Sequence, residues 1–134
     1  MLNYQGESTM KTQIQTDSAP VAIGTYSQAV QAGNTVYISG QIPLIPKTMQ
    51  LANSNFHVQV KQVFENLKAI AIAAGGDLSN IVKLQVFLQD MNQFAIVNEI
   101  MATYFSEPYP ARAVVEVSRL PKDAGVEMDA IMVV

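Results

Sequence analysis

Only two stretches of this chain repeat apolar residues at helical spacing, and that limits how an otherwise strand-rich sequence can be covered. In the first, Phe56, Val60, Val63, Leu67, Ile70 and Ala74 recur at alternating steps of four and three, one face of a helix. Asn53, Ser54 or Asn55 can cap its start, and Gly75-Gly76 stops it where a left-handed residue is wanted. In the second, Phe94, Val97, Met101 and Tyr104 form a shorter stripe after a cap at Asp90 or Asn92. Pro108 and Pro110 forbid its continuation.

The remaining patterned segments read as strands. Residues 35–39 are β-rich between Gly33-Asn34 and Gly40, and residues 81–88 put Val82, Leu84, Val86 and Leu88 on one face. Residues 112–118 and 126–133 are two more, separated by a loop with Pro121 and Gly125. Short strands are expected over 28–32 and near 12–15. The order β-β-β-α-β-α-β-β describes an α+β fold, one sheet with two helices on one face. The other face still carries Val, Ile and Phe, and 134 residues leave no third layer to cover it. Self-association is the economical cover.

Composition narrows the partners. The length suits a single domain, expected over residues 11–134 with residues 1–10 as an N-terminal extension or tag remnant. The net charge is −3, and the eight basic residues form no cluster, which argues against a phosphate-binding surface. Without cysteine there is no disulfide, thiolate zinc site or cysteine nucleophile, in keeping with a reducing cytosol. No apolar run approaches the roughly 20 residues that span a bilayer, and residues 1–9 lack the order of a secretory signal.

Few residues are left for chemistry. His57 is the single histidine, so neither a metal site nor a Ser-His-Asp triad is favoured. Gly75-Gly76 is followed by no Lys-Ser/Thr and is a helix stop, not a phosphate loop. Glu127 and Asp129 share one face of a strand, as a solvated pair or a weak cation site, the former preferred. Arg112 and Glu127 stand in apolar strands, where an unpartnered buried charge costs several kcal/mol. Each is therefore an edge charge or a paired one. A hairpin between the last two strands, turning near Lys122, puts Arg112 about 16 Å from Glu127 along the sheet. If both serve one site, that site joins Arg112 of one subunit to Glu127 of another.

These residues lie within a longer resemblance. Ala22-Ile23-Gly24-Thr25-Tyr26-Ser27-Gln28-Ala29, Ser39-Gly40-Gln41-Ile42-Pro43 and Glu65-Asn66-Leu67-Lys68-Ala69 resemble the reactive-intermediate deaminase (YjgF) family. Asp90 to Phe94, Val97-Asn98-Glu99, Pro110-Ala111-Arg112, Leu120-Pro121-Lys122 and Val126 to Ala130 continue the match in register. The resemblance implies a chorismate-mutase-like fold and a homotrimer whose sheets form a central β-barrel with intersubunit clefts. It also implies hydrolytic deamination of 2-enamino and 2-imino acids, such as 2-aminoacrylate and 2-iminobutyrate, without a cofactor. By the same resemblance Arg112 holds the substrate carboxylate and Glu127 positions and deprotonates the attacking water. Tyr26, Ser39, Gly40 and Asn98 line the cleft, Asn98 being otherwise an ordinary helix amide. Thr25 stands where many members have proline, and Val114 where some have cysteine. The alternative is a non-catalytic carboxylate-binding or regulatory trimer, since some members are described as translation inhibitors or ribonucleases. The acidic composition speaks against RNA.

Overall fold

A computed structural model describes residues 10–134. The expected extension over residues 1–10 lies, apart from Met10, outside the described residues. The strands are β1 (Thr12–Ile14), β2 (Ala29–Ala32), β3 (Thr35–Gln41), β4 (Ile81–Leu88), β5 (Ala111–Glu116) and β6 (Val126–Val133). The helices are α1 (Phe56–Ala73), between β3 and β4, and α2 (Phe94–Tyr104), between β4 and β5. All six strands join one sheet in the order β1-β2-β3-β6-β4-β5, antiparallel throughout except for the parallel pair of β4 and β5.

The α1 stripe does what its period dictates. Val60, Val63, Phe64, Leu67 and Ile70 are buried against the sheet, chiefly over β3 and β6. Asn55 supplies the cap by accepting from the Val58 N–H, and Gly75 ends the helix at φ 95°. Asp90 caps one turn of 3-10 helix, Met91–Gln93, that runs into α2; it does not cap α2 itself.

Two strand expectations are corrected. The last two strands form no hairpin, because β6 lies between β3 and β4 while β5 flanks β4 on the far side. The burial of the two strands explains the arrangement. Val126, Met128, Ala130 and Met132 of β6 are all buried and need neighbours on both sides, whereas Ala111, Ala113 and Val115 of β5 are exposed, as an edge tolerates. The parallel β4–α2–β5 crossover and the long connection over residues 117–125 permit it. Second, Val82 does not share the face of Leu84, Val86 and Leu88. The β4–β6 register shifts between Ile81 and Lys83, so Ile81 takes the buried place and Val82 is exposed.

Two buried amides brace the loops beside the sheet. Gln28 accepts from the Thr16 N–H at 2.7 Å, and its Nε2 reaches the carbonyls of Thr16, Ala19 and Pro20 at 3.0, 3.3 and 2.8 Å. Asn66 of α1 donates to the carbonyls of Leu44 and Ile42. Gln28→Leu fills the same space but strands those backbone groups, so it is expected to cost about 1–3 kcal/mol, read as a lower urea midpoint at unchanged m.

Candidate active site

Strand register decides where the charged residues go. Arg112 of β5 pairs with Leu84, which is buried beneath the helices, and so Arg112 lies on the helix-covered side. Glu127 of β6 pairs with Phe87, on the open side. The two are three residues apart along β4 and two strand spacings apart across it, about 14 Å between backbones. This separation is near the roughly 16 Å of a hairpin, but it runs across β4, and the two residues occupy opposite faces of the sheet.

The six expected site residues divide accordingly between two pockets. Asn98 and Arg112, with Met101, Ala102, Tyr109 and Pro110, line one of about 500 Å³. Tyr26, Ser39, Gly40 and Glu127 line another of about 440 Å³, whose walls come largely from apolar side chains.

In the first pocket the arginine is held on three sides. Its Nη1 donates to Asn98 Oδ1 and lies 3.5 Å from Met101 Sδ, and its Cζ sits 5.1 Å above the Phe94 ring. Asn98, from α2, thus braces the guanidinium. Among the described residues no carboxylate lies within 4.0 Å of the guanidinium. The planar fork is fixed and keeps donors for an incoming anion. Helical period marks Phe94 and Met101 only as core stripe residues, because it reports burial and not what is packed against.

In the second pocket the carboxylate is half-buried. Burial pushes the Glu127 pKa up, and the like charge of Asp129 pushes it further; burial alone raises Asp129. No lysine, arginine or histidine lies within 4.0 Å of either among the described residues. A Cβ at Gly40 would overlap the Glu127 carboxylate, so a larger residue there would require that side chain to move. Ser39 Oγ donates to the Ser27 carbonyl, and Tyr26 OH accepts weakly from the Ile23 N–H at 3.4 Å. Such a carboxylate is a stronger base than an exposed one, and Tyr26 and Ser39 line the same pocket. His57 is exposed in the first turn of α1 and belongs to neither pocket.

The open face carries more than Glu127. Tyr37, Val115 and Val133 are exposed, and Phe87 and Ile131 are partly so. Register lines them up in rows: Val115–Phe87–Glu127, then Tyr37–Ile131–Lys83. This is the uncovered apolar face expected from having only two helices.

The chain belongs to the reactive-intermediate deaminase (YjgF) family: residues 16–134 match the family described as Endoribonuclease L-PSP. A RutC family protein of Pyrococcus horikoshii is 52% identical over 91% of this chain and 97% of its own. The 2-iminobutanoate/2-iminopropanoate deaminase of Mus musculus is 48% identical over 94% of this chain and 93% of its own. Among solved structures, RidA of an Antarctic Psychrobacter is 54% identical with a TM-score of 0.89, covering 92% of this chain and 99% of that one. TdcF of E. coli with bound serine is 43% identical with a TM-score of 0.87, covering 92% and 98%. No helix among the described residues is long and apolar enough to cross a membrane.

Proposed function

We propose that this protein is a cytosolic homotrimer that hydrolyses 2-imino and 2-enamino acids, such as 2-iminobutyrate and 2-aminoacrylate, to 2-keto acids and ammonia. Its single domain, residues 11–134, associates through the open sheet face into a central barrel. Each cleft joins the Arg112 pocket of one subunit to the Glu127 pocket of the next. The observation that carries this reading is the Arg112 guanidinium, fixed by Asn98 in a pocket and left without a carboxylate among the described residues. The deaminase name of the mouse relative supports the reaction, and serine bound to TdcF supports a small carboxylate as ligand.

In this mechanism Arg112 holds the substrate carboxylate by two parallel N–H···O bonds. Glu127 takes a proton from water as the water oxygen bonds to C2 of the iminium. The resulting carbinolamine accepts that proton on nitrogen. As the C–N bond breaks and C=O forms, the hydroxyl gives its own proton to the freed Glu127 carboxylate, which passes it to the departing ammonia, and the keto acid remains. A 2-enamino acid enters the same course once C3 has taken a proton. Tyr26, Ser39 and Gly40 shape the space for water and the imine. Imine hydrolysis needs modest help, and orientation with one base is enough.

The test is keto-acid release from 2-iminobutyrate generated in place by a dehydratase. Acceleration by catalytic amounts of the protein supports the reading. No acceleration by folded trimer, together with binding of small carboxylates, would move it to a non-catalytic binding protein.

Acid should silence the enzyme early. Glu127 must be ionised to act, and both burial and Asp129 hold its pKa up. Activity is therefore expected to fall as pH drops through a point above the ordinary glutamate range. Asp129→Asn removes the second cause and leaves the first, so the acidic limb of kcat/KM should move down without reaching that range. A limb that does not move would assign the titration to another group.

A further inference from the structure

The Glu127 pocket has a largely apolar lining, and one residue on its wall stands in an unusual conformation. Met49 has φ 58°, in the left-handed region that side chains other than glycine, asparagine and aspartate rarely enter. The loop around it enforces that geometry. The Met49 N–H donates to the Ile45 carbonyl at 2.8 Å, and the Ile45 N–H donates to the Gln50 carbonyl at 2.9 Å. Leu44 bridges to Leu51, and Asn66 holds the carbonyls of Ile42 and Leu44 from α1. A turn so closed on both sides calls for glycine, yet this chain spends the position on a long thioether that lines the pocket, half-buried, with Ile42 and Leu44.

We propose that Met49 is a specificity-determining residue that sets the length of the apolar side chain the site accepts. The inference rests on the deaminase reading for its substrate, a 2-imino acid, but not for its physics. Ile42, Leu44 and Ile23 offer an apolar wall to the substituent on C3. Each methylene buried there strengthens binding by about fourfold, since a CH₂ is worth about 0.8 kcal/mol. Met49 narrows that compartment, so the gain stops when the chain meets the thioether. Met flexes around irregular shapes, which suits short, unbranched substituents better than a rigid stop would.

The experiment uses the full chain as wild type, Met49→Gly and Met49→Asn. Glycine and asparagine both accept the left-handed conformation, so both variants are expected to fold with a Tm at or above wild type. Binding of unbranched 2-keto acids from pyruvate to 2-oxooctanoate is measured by calorimetry, alongside kcat/KM for the corresponding imines. In wild type the affinity should rise about fourfold per methylene and then level off. In Met49→Gly it should continue to rise past that length, and in Met49→Asn the longer chains should be disfavoured by the amide. The same length profile in all three proteins, or no length dependence in wild type, overturns the proposal whether or not imines are hydrolysed. A profile that changes as expected in proteins that hydrolyse no imine leaves the role of Met49 standing and removes the deaminase reading.

Discussion

Arg112→Ala is expected to lower kcat/KM for 2-iminobutyrate by a factor on the order of 10²–10³, the cost of leaving the substrate carboxylate without its bidentate cation. The chain's own contacts explain why so much rests on one side chain. The guanidinium donates to Asn98, touches Met101 and stacks on Phe94, so its orientation is settled before substrate arrives. That ordering cost, otherwise charged against binding a flexible arginine, is already met. Arg112→Lys should recover little, because an ammonium keeps the charge but neither the fork nor the stacking. Since β5 is an edge strand with exposed neighbours, both variants should retain far-UV ellipticity and assembly size. A rate for Arg112→Ala close to wild type, in a protein of unchanged size, would remove Arg112 as the carboxylate anchor and the proposed mechanism with it.

The sequence revealed the parts of this molecule whose signals are local. A period of 3.6 in α1 and α2, Asn55 before the first and Gly75 after it are read from neighbouring residues, and so the helices fall where expected. Strand order is different. Nothing in residues 111–133 says that β6 crosses to lie between β3 and β4, because alternation defines faces and not neighbours. The bulge that exposes Val82 is likewise invisible to a count of alternating residues. Gln28 and Asn66 illustrate a second blind spot: their partners are backbone carbonyls in loops, so a polar residue with no matching side chain passes for surface.

Candidate residues can be picked from the sequence, but their geometry cannot. Arg112 and Glu127 stand out because a charge in an apolar strand demands a reason, and the family resemblance names their neighbours. Their separation onto opposite faces follows only once Leu84 and Phe87 are known to be their partners on β4. Gly40 shows the same limit. Its position at the end of a β run suggested a strand terminus, whereas its lack of a Cβ makes room for the Glu127 carboxylate.

That opposite-face arrangement makes a mixing experiment decisive. Glu127→Gln alone should lower activity about 10²–10⁴-fold, the usual worth of a general base, and Arg112→Ala alone should be similarly impaired. When the two variants are unfolded together and reassembled, a cleft is intact wherever a Glu127→Gln subunit presents its Arg112 to the Glu127 of an Arg112→Ala neighbour. At equal mixing about one cleft in four meets that condition in a closed ring. Activity should therefore return to about a quarter of wild type, from two preparations that are each nearly inactive. Mixing without unfolding supplies the control, since subunits that do not exchange recover nothing. If each site lay within one chain, no mixture would contain a complete one, and activity would remain at the level of the parents. The sheet argues for the first outcome: its own backbone stands between Arg112 and Glu127, and no substrate of this size reaches around β4 to touch both.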